Sequence, residues 1–437
     1  MHLLLALFLA PAAHAGGYYY ADSGIVASGR GNAVVAGADD YFAQLYNPAA
    51  LMNVDAPTFS LGATSVRQAI TFSRLDEDGT FQEPVSNDPA GFYIPELGFA
   101  MPLGEKLALA VGSTTPFTPD YLYDSHGPQR YTVSSATLRQ AWIGPSLAYQ
   151  ATPWLAVGAG VSWNFLTVNQ HLSVTTTGKD EPTNDVGVDV SLKDMDNLHG
   201  NIGLLFTPAE GVKVGLSYLP GATFDLTGPM TLDFSEHVFW TAGIIDAETY
   251  TDDEVRMQMK LPGIARLGVS VQPIEGLEVE VDGSWEQWSR LEEIVIEGVE
   301  ITMHTALGDQ TAPESFNLPA GFQDAYSLRL GAEYDVAELL SVRGGAMYES
   351  PAIQPQYIGV SLVDTGKVKL TGGATLKLLD GHLNLIGAVG YTAFGTQEVR
   401  DSVLTQSNAM GDEALTVGNG DYSSHGLTAG LGAAYRF

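Results

Sequence analysis

The chain has 437 residues, 51 of them acidic and 20 basic, and its formal net charge of −31 excludes nucleic acid as a partner, because phosphate binding needs clustered Lys and Arg. It contains no cysteine, which excludes disulfides, thiolate metal sites and a thiol nucleophile. The 49 glycines and 10% aromatic residues are spread along the length with no collagen period and no low-complexity tract, so a fibrous or disordered chain is excluded and one large β architecture is expected.

At the start, Leu3 to Ala10 is an apolar run followed by Ala13-His14-Ala15, the small-x-small pattern of a signal-peptidase site. Residues 1–15 are therefore expected to be an export signal, although no Lys or Arg precedes the apolar run. Residues 16–55 are rich in small side chains and lack long alternation, which predicts turns with one short helix and not a lipid-facing strand.

From residue 56 to residue 437 the dominant signal is period two, which puts successive side chains on opposite faces of a strand. No stretch reaches the ~18 uncharged apolar residues of a transmembrane helix, so a membrane protein of this sequence must be a closed barrel. Short turns fall at Gly104-Glu105-Lys106, Ala151-Thr152-Pro153, Pro208 to Gly211, Pro273 to Gly276, Val336-Ala337-Glu338 and Asp380-Gly381-His382. Longer polar segments near 76–90, 117–136, 173–196, 228–256, 301–320, 352–366 and 397–424 alternate with them. Six turns and seven loops connect fourteen antiparallel strands, an even number, as in bacterial outer-membrane barrels with short periplasmic turns and long outer loops. The loops carry acid runs, Asp76, Glu77, Asp78, Glu83 and Asp88 in the first and Asp246, Glu248, Asp252, Asp253 and Glu254 in the fourth. Solvation of the loops and bridging of divalent cations at a lipopolysaccharide surface are the two readings of that charge.

In the ninth strand Leu277, Val279, Val281 and Trp285 share one face, and Glu278, Glu280, Asp282, Ser284 and Glu286 share the other, which should line the lumen. Arg266, Arg329, Arg343, Lys369 and Lys377 lie on the polar faces of neighbouring strands and complete a mixed-charge ladder. Cross-strand pairing that stiffens the wall is one role for it, and reception of a ligand carboxylate by an unpaired base is the other. Trp285 and Trp288 read as aromatics of the membrane interface. In the last strand Leu427, Ala429, Leu431, Ala433, Tyr435 and Phe437 form an apolar face, and a terminal aromatic resembles the recognition end of outer-membrane proteins. A barrel of more than about eight strands leaves a lumen that must be wet or plugged, and the N-terminal segment is placed to fold inside it.

The pieces, in order, resemble the FadL family of long-chain fatty-acid transporters, including its toluene and xylene channels. Small residues leading to Asp39-Asp40 and then Tyr46-Asn47-Pro48-Ala49-Ala50-Leu51 are similar to that family's hatch. GFYIPELGFAMPLGEKLALAVGSTTPF, residues 91–117, resembles its second and third strands, and IGPSLAYQATPWLAVGAGVSWNF, GLLFTPAEGVKVGLSY, LPGIARLGVSVQPIEGLEVEVDGSWEQWS and YSLRLGAEY follow in the family's order. The resemblance implies a monomeric barrel whose lumen is blocked by a hatch of residues 16–55. It also implies that a hydrophobic small molecule, a fatty acid or a hydrocarbon, is taken at the outer loops and leaves sideways at a kinked third strand into the outer leaflet. On that pattern Tyr46, Asn47, Pro48 and Ala49 belong to the hatch, and Gly112 and Pro116 are candidates for the kink, since Gly weakens a strand and Pro cannot donate to a ladder. An ordinary strand end is the alternative there. Phe117, Tyr121, Tyr123 and Tyr131 form an aromatic loop after it, a candidate ligand-capture surface. No cofactor, metal site or catalytic group is expected, because the histidines are scattered singly and no G-x-S-x-G elbow occurs. A general porin or a structural outer-membrane protein is the competing function.

Overall fold

The computed structural model describes residues 23–88, 91–306, 308–312, 314–361, 363–407 and 414–437, so the expected export signal lies outside the described residues. Alternating side chains with few helix formers produce long strands: β1 (Thr58–Arg74), β2 (Phe92–Pro102), β3 (Leu107–Thr114), β4 (Ser135–Thr152), β5 (Leu155–Thr175) and β6 (Asp185–Ala209). The next four are interrupted midway: β7 (Val212–Leu219 and Thr223–Asp233), β8 (Thr249–Lys260 and Ile264–Ile274), β9 (Leu277–Glu286, with an outer piece Glu293–Glu297) and β10 (Ser315–Pro319 and Ala325–Ala337). β11 (Leu340–Glu349), β12 (Lys367–Leu378), β13 (Leu383–Phe394) and β14 (Gly420–Arg436) complete the wall.

Neighbours in sequence pair antiparallel, and β1 pairs with β2 on one side and, from Thr58↔Arg436 to Arg74↔Gly420, with β14 on the other. The result is a closed antiparallel barrel of fourteen strands with no edge left at the ends of the sheet. The six short turns fall where the sequence puts them, and two of them rest on Gly211 and Gly276, whose φ angles of 72° and 75° a side chain would disfavour. On the long-loop side the expected segment 173–196 is much shorter, because β5 and β6 stay paired out to Thr175↔Asp185. The cause is the alternation of Val186, Val188, Val190 and Leu192, all buried, with polar partners that the acidic composition disguises as loop.

The two faces of the wall are chemically distinct. Leu431 is 76% exposed, and Leu370, Val389, Leu427 and Tyr435 are exposed with it, while their alternate neighbours point inward. Such an outward apolar belt is stable against hydrocarbon and not against water. Inside, a contiguous apolar core joins wall, hatch and folded-in outer loops, running from Tyr41, Tyr46 and Leu51 to Phe72, Phe224 and Trp288.

Candidate functional site

The N-terminal segment is a plug built from short pieces, helix α1 (Ile25–Gly29), helix α2 (Ala43–Tyr46) and a 3-10 turn (Pro48–Asn53). Pro48 opens that turn, and Asn47 caps it by accepting from the Ala49 N–H at 3.1 Å. The Asn47 amide then donates to the carbonyls of Val35 (2.9 Å) and Leu204 (3.0 Å), tying hatch to itself and to β6 at once. Tyr46, Asn47, Pro48 and Ala49 are all buried, and the Tyr46 hydroxyl donates to the Ser23 carbonyl at 2.7 Å. The wall is shaped to receive them: a Cβ at Gly203 would lie 1.9 Å from the Asn47 Oδ1, so only glycine allows that approach.

Carboxylates of the inner wall hold the hatch by its backbone. Asp282 Oδ2 accepts from the N–H groups of Val34 (2.7 Å) and Val35 (3.0 Å), and Glu280 Oε1 accepts from Ala36 N–H (2.6 Å). Arg30 on the hatch donates to Glu278 (2.6 Å) and lies 3.4 Å from Glu280. Across the lumen, Glu96 of β2 accepts from the N–H groups of Gly24 (3.2 Å) and Ile25 (3.3 Å), the unpaired donors at the start of α1. The polar ladder therefore divides. Arg343 pairs with Glu333 (2.9 Å), Lys377 with Asp335 (2.7 Å) and Lys367 with Glu349, which are cross-strand pairs in the wall. Glu278, Glu280 and Asp282 instead face the hatch, because a buried segment of turns presents more unpaired N–H groups than the wall does bases. Arg266 donates to the Leu45 carbonyl (3.3 Å) and stands over the Tyr46 ring, Arg329 sits opposite Asp282, and Lys369 and Glu286 are buried above the hatch.

The third strand does depart from regularity, but not at Gly112. That residue stays in register with Gly98 and Gly144, and its missing side chain makes room for the Tyr41 ring of the hatch, 2.4 Å from where a Cβ would be. The departure falls at residues 115–119, which include Pro116. There alternation is lost and Pro116, Phe117 and Thr118 are all buried, while the segment stays bonded to β4 through Gln140 N–H to Phe117 O (2.9 Å). β2 loses its partner: its ladder with β3 ends at Leu97↔Ser113, so residues 92–96 have no strand on that side.

Phe117, in the irregular segment after β3, joins a buried aromatic cluster. Phe117 meets Trp288 edge to face with centroids 6.3 Å apart, and Trp288 stacks on Phe322 at 5.4 Å. Trp288 is fully buried and donates to Glu286 at 3.0 Å, which corrects its reading as a membrane-interface residue. The strand ends at Glu286 and a 3-10 turn, Trp288–Arg290, follows it, with Trp288 on the inward face that Asp282, Ser284 and Glu286 share. The expected capture surface is also relocated. Phe117, Tyr121, Tyr123 and Tyr131 are buried, and the three tyrosine hydroxyls donate to interior acceptors, Tyr121 to Gln68 (2.8 Å), Tyr123 to the Val360 carbonyl (2.9 Å) and Tyr131 to Asp185 (2.9 Å). Above them the outer loops lock together through Arg130, which donates to Asp185 at 2.7 Å and also holds Asp180, and through Arg74, which donates to Asp180 at 3.1 Å. Burial alone would raise the Asp180 carboxyl, but Arg130, Gln82 and Arg74 outweigh it and hold the group below its ordinary value. In the same lid His237 is fully buried, accepts from Phe239 N–H at 3.0 Å through Nδ1 and faces the Thr176 hydroxyl at 3.1 Å through Nε2. Burial pushes its pKa down to about 4.

Glu96, Arg30, Tyr41 and Trp288 are the residues that sequence reading misses. Glu96 alone left a trace, a single acid on the inward face of the otherwise apolar GFYIPELGFA.

The whole arrangement has close counterparts in proteins of known structure. The family model described as outer membrane protein transport protein (OMPP1/FadL/TodX) matches residues 6–437. Outer membrane protein P1 of Haemophilus influenzae is 23% identical over 407 residues, covering 86% of this chain and 82% of that protein. The crystal structure of a Pseudomonas aeruginosa FadL homologue superposes with a TM-score of 0.78 at 15% identity, covering 99% of this chain and all of the other. The Pseudomonas putida toluene transporter TodX gives 0.67 at 16% identity, covering 94% and 97%. The match along nearly the full length, together with a plugged barrel of fourteen strands, makes this chain an outer-membrane transport protein of the OMPP1/FadL/TodX family and not an enzyme.

Proposed function

We propose that the protein is an uptake channel for small hydrophobic molecules, fatty acids or hydrocarbons, which pass from the loop end along the aromatic cluster of Phe117, Trp288 and Phe322 and leave through the wall between β2 and β3. The observation that carries the reading is the β2 edge at residues 92–96, which among the described residues no strand pairs on the β3 side. At membrane depth an open strand edge is tolerated only where it lines a cavity, because lipid cannot satisfy backbone polar groups. A side exit suits an apolar cargo, since each Å² of apolar surface kept from water is worth roughly 25 cal/mol. The plug blocks the straight route, so the open water-filled lumen of a general porin is disfavoured. That the similar Pseudomonas putida protein is a toluene transporter supports neutral hydrocarbons as cargo.

The test restores the wall. Deleting Thr115 and replacing Pro116→Val removes the irregularity and lets β3 alternate, and uptake of labelled palmitate and of toluene is then measured in cells lacking other hydrophobic uptake channels. At least a tenfold fall for one of the two cargoes is expected, with the folded barrel intact by its heat-dependent gel mobility. Unchanged uptake of both, or a large steady conductance of the unaltered protein in planar bilayers, overturns the proposal.

A further inference from the structure

On β6, β8 and the turn after β9, four basic side chains make no hydrogen bond or ion pair with any described residue: Lys193, Arg256, Lys260 and Arg290. In a chain with 51 acids and 20 bases, unpaired cations gathered on β6, β8 and the turn after β9 are the opposite of what charge balance provides. Lys193 and Arg256 both flank Thr227 in the ladder, and Lys260 lies opposite Thr223, one turn of the pleat nearer the membrane. Arg290 reaches over Gly221, where any Cβ would come within 1.3 Å of its Nη1. Lys193 and Arg256 are exposed, and Lys260 and Arg290 are partly so.

Their height is fixed by what lies above and below. Within the patch Glu297 lies opposite Arg256, and Asp225, which accepts from the Gln258 amide at 3.1 Å, lies between Thr223 and Thr227; toward the loops come Asp189, Asp252 and Glu254, and toward the barrel middle come Leu198, 73% exposed, and then Ile202, Leu216 and Tyr218. At ~3.4 Å per residue along a strand tilted by roughly 40°, Arg256 to Lys260 spans about 10 Å along the membrane normal, the thickness of a head-group layer. The wall is also open there. Pairing of β6 with β7 stops between Ile202↔Tyr218 and Lys193↔Thr227, leaving residues 194–201 and 219–226 side by side without a ladder. Only side chains bridge this seam: Asn197 Nδ2 donates to Thr223 O (2.7 Å), His199 Nε2 to Pro220 O (2.5 Å), and Asp194 accepts from Asp225 N–H (3.1 Å).

We infer that this patch binds the phosphate groups of an outer-leaflet glycolipid, with the acyl chains against Leu198 and Ile202. Long basic side chains at the end of an apolar belt reach up to the head groups, and guanidinium and ammonium groups satisfy phosphate oxygens directly. The surface is separate from the β2/β3 edge and does not depend on the transport reading.

The purified full-length protein in dodecyl-maltoside with EDTA is titrated with bisphosphorylated lipid A, with the dephosphorylated lipid and with inorganic phosphate. The test variant carries Lys193→Gln, Arg256→Gln, Lys260→Gln and Arg290→Gln, and the control carries Lys106→Gln and Lys213→Gln at the short-turn end. The expected result is at least tenfold weaker lipid A binding for the fourfold variant alone, a similar loss when the lipid lacks phosphates, and no competition by millimolar inorganic phosphate. Equal affinity of variant and wild type, equal binding of the dephosphorylated lipid, or full displacement by inorganic phosphate overturns the inference. Gel mobility of the folded barrel verifies that the variant compared is native.

Discussion

Replacing Asp282→Ala should release the hatch without unfolding the barrel. The carboxylate takes two backbone N–H groups, Val34 at 2.7 Å and Val35 at 3.0 Å, in a place where Asp282 is 1% exposed and water cannot substitute. Hydrogen bonds to a charged acceptor contribute about 1.5–3 kcal/mol each, and buried donors left unpaired carry a similar penalty, so the hatch loses about 3–5 kcal/mol. At about 1.4 kcal/mol per decade the displaced hatch becomes roughly 10²–10³ times more populated. The wall ladders do not involve this carboxyl, so heat-dependent gel mobility stays as in the wild type. Because the chain has no cysteine, Ser23→Cys, an isosteric change at a residue 1% exposed, supplies a clean reporter. Its maleimide labelling in detergent follows the population of the open form when closing is faster than reaction. Labelling should accelerate by at least a hundredfold in Asp282→Ala and by less in Asp282→Asn, whose amide oxygen still accepts one N–H. A change below threefold in the alanine variant would refute the anchoring role.

Gly203→Ala brings a methyl to 1.9 Å from the Asn47 Oδ1, and overpacking of about 1–3 kcal/mol should raise labelling of the same reporter, whereas Gly283→Ala, whose nearest new neighbour is 3.8 Å away, should leave it unchanged. Trp288→Ala removes the ring packed between Phe117 and Phe322 and should cost about 3–5 kcal/mol, read as a fall in melting temperature together with weaker binding of a hydrophobic probe. For the loop lid, His237 has its folded pKa near 4, below the ordinary 6.5, so its neutral form stabilises the fold fully above pH 6.5 and that stability is lost as pH falls toward 4. The loss reaches about 2–3 kcal/mol, and hydrogen exchange of residues 176–184 and 234–245 should quicken between pH 7 and 4 in the wild type and not in His237→Gln.

How far the molecule was legible follows from which forces act through neighbouring residues. The wall is a local code: alternation such as Leu427, Ala429, Leu431 against Thr428, Gly430, Gly432 sets the face of every strand, and turn residues such as Gly211 and Gly276 set the breaks. Strand number, order and closure all came from that. The interior is not local. Glu280 and Asp282 were placed correctly on the lumen face, but their partners are N–H groups of Val34 to Ala36, some 245 residues away, and nothing near either segment announces the other. Gly112 looked like a kink because glycine does weaken strands, yet its role is to leave room for Tyr41, which only the folded barrel brings there. Trp288 keeps the inward phase of Asp282, Ser284 and Glu286, so alternation does place it inside, but its stacking on Phe322 joins residues far apart in the chain and no periodicity announces that contact.

The distribution of bond types in the wall explains why one exit would be favoured over another. Toward the short-turn end the hatch is held by charge-assisted bonds from Glu96, Glu278, Glu280 and Asp282, which must break together before the lumen opens straight through. At residues 92–96 of β2 the described residues form a ladder with β1 but none on the β3 side, so on the proposed route opening there breaks no strand pairing. An apolar cargo offers nothing to replace the lost hydrogen bonds of the first route, but it does replace the side-chain packing of the second. The same chain with a charged or strongly hydrogen-bonding cargo would have no such preference, and a polar solute should therefore be excluded by both routes alike.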